Sequence, residues 1–314
     1  MSAADSGIFI LNKPAGMTSQ QAVTAVKRAL GCRKAGHSGT LDPSVTGVLP
    51  VFLGSATRLA EYVTEEKKCY TATAKFGAAT DTQDASGTVV STGDPTRLAI
   101  DDIRRQLQSF TGDIEQEPPL YSAIKIDGIR AYQLARAGQN VRLPKRYVHV
   151  YDLQLLDYKL ESDEYAITFS IECSKGTYVR TICHDLGQSL GVPALMSALV
   201  RTRSGPFTLD DAHTLEELRE YGNALVLPPA SAVTRMPRID LTLAESQRVL
   251  HGAAIVVDRS RLNLSAVHAP SENGGLVRMH DETGQLSAIY EWSPSCADQV
   301  SLRAKKVIGQ ARGV

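Results

Sequence analysis

Residues 36–50 read GHSGTLDPSVTGVLP. One acid, Asp42, and one imidazole, His37, stand among Gly36, Gly39 and Gly47, two prolines and the small hydroxyl residues Ser38, Thr40, Ser44 and Thr46. Glycine opens backbone conformations closed to other residues and lets a ligand or another chain come close. Pro43 fixes its own φ and pushes Asp42 away from helical geometry. The stretch predicts a stiff loop that presents one carboxylate and then runs into an apolar strand over 48–53. Asp-Pro beside glycine is also ordinary turn chemistry, so composition alone leaves a plain turn and a functional loop both open.

Outward from this loop, residues 7–11 (GIFIL) read as a buried strand. Thr18-x-x-Gln21 matches a capping box, and Val23, Val26 and Leu30 follow at helical spacing, which predicts a helix over about 19–30. Residues 69–76 and 148–156 are further strand candidates. Tyr165, Ile167, Phe169, Ile171 and Cys173 alternate strictly, the sharpest strand signal in the chain. Residues 100–110 and 178–190 read as helices. Strands and helices mix without a βαβ rhythm, so the expected class is α+β, with a mixed or largely antiparallel sheet flanked by helices. A boundary near Met236-Pro237 divides a domain over 1–235 from a small β-rich one over 236–314. The second is expected to hold a helix at 244–251 and strands at 276–280, 286–292 and 301–307.

Thirty-four basic and 34 acidic residues give a net charge of zero, which by itself argues against a nucleic-acid partner. The distribution argues the other way. From Glu117 to Arg146 there are six basic residues, Lys125, Arg130, Arg136, Arg142, Lys145 and Arg146, against two acids. Such a stripe can neutralise phosphates locally, or be a solvated face. Five cysteines, at 32, 69, 173, 183 and 296, form no C-x-x-C pair, so neither a disulfide framework nor a zinc site is expected. No G-x-G-x-x-G or phosphate loop is present, so no nucleotide cofactor and no metal are expected. No apolar run is long enough to cross a membrane. Residues 1–6 carry no signal-peptide pattern, and a cytoplasmic protein with reduced thiols is expected.

Several other blocks share the order and spacing of one family: KPAGMTS at 13–19, KCYTA at 68–72, PPLYSAIK at 118–125 followed by Gly128 and residues 132–136, CSKGTYVRT at 173–181 and LVRTRSGPF at 199–207. Together with GHSGTLDPSVTGVLP they resemble the TruB family of bacterial tRNA pseudouridine-55 synthases, over roughly residues 7–233. The resemblance implies a pseudouridine-synthase fold and a T-loop uridine of tRNA as substrate. It also implies an RNA-gripping insertion at about 117–147 and, more loosely, a PUA-like C-terminal domain. Asn12 and Val45 depart from the usual pattern, away from the proposed chemistry.

Isomerising uridine to pseudouridine breaks the C1′–N1 bond and makes a C1′–C5 bond. It needs a nucleophile or base near the sugar, a pocket for the detached uracil and access to a base inside folded RNA. Asp42 fits the first role as nucleophile or general base. A carboxylate near phosphates tends to protonate, so it needs a cation partner, for which Arg180 is the candidate. Tyr70 offers a face for a flipped base and a hydroxyl, and Tyr178 a second ring; each also fits a core aromatic. The resemblance gives His37 the job of filling the gap left by the flipped nucleotide. Lys13 fits two jobs, supporting the loop or contacting phosphate. Leu199 fits an apolar wall of the uracil pocket or plain core. A stand-alone, monomeric enzyme is expected. The alternatives are a dyskerin-type enzyme that needs a guide RNA and a non-catalytic tRNA-binding chaperone.

Overall fold

The computed structural model describes residues 6–309 apart from 123, 127, 138, 140–142, 162–163, 263–274 and 296–297. Its first half contains β1 (Ser6–Lys13), α1 (Ser19–Ala29), β2 (Ala35–His37), β3 (Thr46–Gly54), α2 (Ala60–Glu65), β4 (Lys68–Phe76), β5 (Ala78–Thr80), β6 (Val89–Thr92), α3 (Ile100–Ser109) and β7 (Gly112–Gln116). The insertion holds a two-strand hairpin, β8 (Lys125–Ile126) and β9 (Ile129–Arg130), and α4 (Ala131–Arg136). There follow β10 (Arg146–Glu161), β11 (Glu164–Cys173), α5 (Val179–Ser189), β12 (Ala194–Ser204), β13 (Phe207–Thr208) and α6 (Leu215–Tyr221).

The main sheet runs β1-β3-β12-β4-β11-β10-β7, with β2 on β3 and β13 on β12. Every described pair in it is antiparallel except β12 with β3. That parallel contact joins only Val200 to Thr46 and Arg201 to Gly47. It lies where β3 leaves the Asp42 loop, and it brings the loop against the middle of β12.

Both faces of the β1–β3 edge are buried, which is why these strands read as unbroken apolar runs. Alternation sorts their side chains into two cores. Phe9, Leu11, Leu49, Val51 and Leu53 join the larger core with α1 and α5. Ile8, Ile10, Val48 and Phe52 join a second one with Leu59, Val63 and Phe207. The capping box forms as read: the Gln21 amide N–H donates to Thr18 Oγ1 at 3.1 Å, and the Thr18 N–H donates to Gln21 Oε1 at 2.8 Å.

The C-terminal part builds its own five-stranded sheet, in the order β14 (Arg238–Asp240), β16 (Gly275–His280), β17 (Leu286–Pro294), β18 (Gln299–Val307), β15 (Ile255–Asp258). One helix, α7 (Leu243–Leu250), accompanies it. Its private core includes Ile239, Val249, Val277, Tyr290, Trp292 and Leu302. Leu286, Ile289 and Ile308 instead complete the second core with Ile8, Val48 and Phe52. No described helix is long and apolar enough to cross a membrane, and the four described cysteines are free thiols.

Candidate active site

The Asp42 loop is fastened from below by the first motif. Lys13 is fully buried, and its Nζ donates to the carbonyls of Pro14 and Met17, each at 2.8 Å, and of Pro43 at 3.3 Å. The Gly16 N–H donates to Pro43 O at 2.9 Å. Ser19 Oγ donates to Leu41 O at 3.0 Å and accepts from Leu41 N at 2.8 Å. Of the two jobs open to Lys13, this geometry is support. Burial pushes its ammonium down to about 8, against the opposing pull of Asp42.

Arg201 fastens the loop from the side. It is 1% exposed. Its Nε donates to Val48 O at 2.8 Å and its Nη2 to Gly39 O at 3.1 Å. Gly47, at φ +100°, lies so near that a Cβ there would stand 2.3 Å from Arg201 O. Only glycine fits both demands. β-pairing sets Tyr70 directly opposite Arg201. Burial raises the Tyr70 pKa, and the Arg201 charge works against that rise.

These elements enclose a cavity of about 230 Å³, lined among others by Asp42, Tyr70, Tyr178, Arg180, Leu199 and Arg201. The Asp42 side chain is 40% exposed, and its Oδ2 lies 3.5 Å from Arg180 Nη2, whose side chain is 5% exposed. Arg180 has further partners: Nη2 donates to Tyr121 O at 2.6 Å, Nη1 donates to Thr82 O at 3.4 Å, and Asp84 Oδ2 lies 3.7 Å from Nη1. Asp84 Oδ1 accepts from Ser86 N, Ser86 Oγ and Thr82 Oγ1. The guanidinium therefore sits between two carboxylates. A single buried cation shared in this way fixes the direction in which the half-exposed Asp42 carboxylate points.

A loop carboxylate, an arginine on a helix start and a strand tyrosine thus meet around one cavity. A model described as TruB family pseudouridylate synthase (N terminal domain) matches residues 27–179. One described as tRNA pseudouridylate synthase B C-terminal domain matches 180–227. The tRNA pseudouridine synthase B of Symbiobacterium thermophilum is 52% identical over 251 residues, 80% of this chain and 83% of its own. That of Halalkalibacterium halodurans is 40% identical over 299 residues, 92% of this chain and 94% of its own. The chain belongs to the TruB family of pseudouridylate synthases. Among solved structures, a Cbf5-Nop10-Gar1 complex matches at TM-score 0.74 and 29% identity, over 98% of this chain and 86% of that one. An H/ACA RNP bound to a substrate RNA containing 2′-deoxyuridine matches at 0.72 and 28%, over 96% and 85%.

The remaining residues singled out in the sequence spread around this TruB-family pocket. His37 ends β2 opposite Val51, half-buried and outside the cavity lining. Burial and then the Arg201 charge lower its pKa, so the imidazole is neutral at pH 7. Arg146 stands over the Tyr178 ring, 4.8 Å from its centroid, and donates to Gly176 O. Lys145 pairs with Glu115 at 2.7 Å. Arg142 and the side chains of Lys125, Arg130 and Arg136 lie outside the described residues.

Sequence reasoning passed over four residues: Lys68, Asp84, Gln116 and Arg201. Lys68 lines the cavity, its Nζ donating to the carbonyls of Val63, Thr64 and Glu66, and burial pushes its ammonium down to about 8. Asp84 had a visible signal, the run TDTQDASG at 80–87, dense in residues that turn on their own backbone.

Proposed function

We propose that this protein isomerises the T-loop uridine at position 55 of tRNA to pseudouridine, acting alone on a flipped-out base. The ion pair of Asp42 with Arg180 at the mouth of the pocket carries this reading, together with the tRNA-directed names of the family relatives. Asp42 serves as the catalytic carboxylate, attacking a sugar or base carbon or removing a proton from the sugar. Arg180 pairs with it and aims it. The uracil, released from C1′ at N1, turns between Tyr70 and Leu199 and rebinds through C5. In balance, C5 gives up a proton and N1 gains one, with no oxidant, reductant or cofactor consumed. Tyr70, paired in register with Arg201 and lining the cavity, handles the C5 proton. His37 fills the stack that the uridine leaves. Tyr178, Arg146 and the basic residues Lys125, Arg130, Arg136, Arg142 and Lys145 hold the T-arm. The protein works as a cytoplasmic monomer without a guide RNA.

The solved relatives of Cbf5 type supply the second reading, an enzyme that depends on a guide-RNA particle. Purified protein is incubated alone with unmodified tRNA transcript, and pseudouridine at each position is mapped. The proposal expects full conversion at position 55 alone. Asp42→Asn, which keeps the shape and loses the charge, is expected to bind tRNA and give no product. Conversion by that variant at more than a trace of the wild-type rate removes Asp42 from the centre of the reaction. No conversion by the wild type without a guide overturns the stand-alone reading.

A further inference from the structure

Gln116 is the last residue of β7 and the last before the basic insertion, and it is 1% exposed. Its side-chain amide behaves as an extra peptide group. Oε1 accepts from Tyr178 N at 2.8 Å, and Nε2 donates to Tyr178 O at 3.0 Å. Tyr178 is the N-cap of α5 and has no side-chain cap of its own. Two residues further on comes Arg180. The returning root of the insertion grips the same segment: Arg146, paired in register with Gln116, donates to Gly176 O and covers the Tyr178 ring. The insertion also reaches Arg180 directly, since Tyr121 O takes the Nη2 donor at 2.6 Å while Asp42 holds the same nitrogen only at 3.5 Å.

We infer that Gln116 is a positioning residue, whose clamp on the Tyr178 backbone sets how Arg180 meets Asp42 and so ties the root of the RNA-gripping lobe to the alignment of that pair. This rests on the reading of Asp42 and Arg180 proposed above. Clamping two backbone groups at the start of α5 fixes the origin of the Arg180 side chain. A shift of the lobe root then passes to the guanidinium through two hydrogen bonds, and through the Tyr121 carbonyl by a third. Binding energy from remote RNA contacts can in this way be spent on orienting the reacting group.

Two variants test it. Gln116→Glu keeps the acceptor and size but loses the donor to Tyr178 O. Gln116→Met loses both bonds at similar volume. Each is compared with wild type for tRNA affinity, for single-turnover rate per titrated active site and for thermal midpoint. The expected result is a rate 10- to 100-fold lower with affinity within about threefold. Placed on an Arg180→Lys background, Gln116→Met should cost little more, because it acts through that arginine. A lower midpoint with an unchanged rate per active site makes Gln116 structural only and overturns the inference. So does weaker tRNA binding at unchanged rate, or full additivity with Arg180→Lys. A wild type that makes no pseudouridine would instead overturn the functional reading beneath it.

Discussion

Arg201 is a buried cation with no carboxylate within ion-pairing distance among the described residues, held by the Val48 and Gly39 carbonyls. Replacing it with methionine of similar length sets two effects against each other. The variant no longer desolvates a guanidinium, which relieves a cost of several kcal/mol. It also leaves two buried carbonyls short of a donor, at about 1–3 kcal/mol each, and opens space beside Gly39 and Gly47. The orphaned carbonyls and the opened space should win narrowly, with a net loss of about 1 kcal/mol. At roughly 2–4 °C per kcal/mol for a domain of this size, the midpoint should fall by about 2–4 °C. Thermal unfolding of Arg201→Met followed by circular dichroism measures it. Single-turnover assay below the midpoint should show a further fall in rate, since the Asp42 loop has lost its side anchor. A midpoint equal to or above wild type would refute the reasoning and show that desolvation of Arg201 outweighs its bonds.

Tyr70→Phe keeps the ring and Tyr70→Leu loses it. Both are expected to be severely impaired with tRNA binding retained, and near-wild-type single-turnover rates for both would remove Tyr70 from the pocket chemistry. Lys13 and Lys68 release their protons near pH 8 in the fold but near 10.5 when unfolded. The unfolded chain then holds more protons across that window, so their contribution to stability rises with pH. Urea midpoints at pH 7.5 and 9.5 should show a smaller rise for Lys13→Met than for wild type. Deleting 130–142 removes Arg130, Arg136 and Arg142. It should weaken tRNA binding far more than folding, and flatten the log–log salt slope by about 2–3 if all three touch phosphate. Titrations between 50 and 200 mM salt with unchanged slope and affinity would leave that segment without a role in binding.

The elements with clean periodicity were legible in the sequence. The alternation of 165–173 became β11, Glu164–Cys173, and the capped repeat at 19–30 became α1, Ser19–Ala29. The C-terminal readings match α7, β16, β17 and β18 to within two residues at each end. What escaped was irregular. β12 carries bulges between Met196 and Ala198 and between Arg201 and Arg203, which break the two-residue period, so its strand and its arginine went unread. β10 has two bulges of its own and runs to Glu161, beyond the expected 156. Asp42, Tyr70 and Arg180 sit in motifs and could be named in advance. Asp84 and Gln116 act through contacts across 96 and 62 residues of chain, which no local pattern records.

The second core is assembled from both ends of the chain: Ile8, Val48, Phe52 and Leu59 from one side, Leu286, Ile289 and Ile308 from the other. Arg58 reaches across to Val307 O at 2.6 Å, and Lys306 pairs with Glu61. Neither part is therefore a finished surface. A chain cut between Val233 and Arg238 would bare an oily face on the back of the main sheet, and such patches drive self-association and precipitation. Anyone wishing to express the first part alone would have to redesign that face with polar residues. In the intact protein the same contact makes the C-terminal module a lining, which keeps the strand under the Asp42 loop dry on its far side.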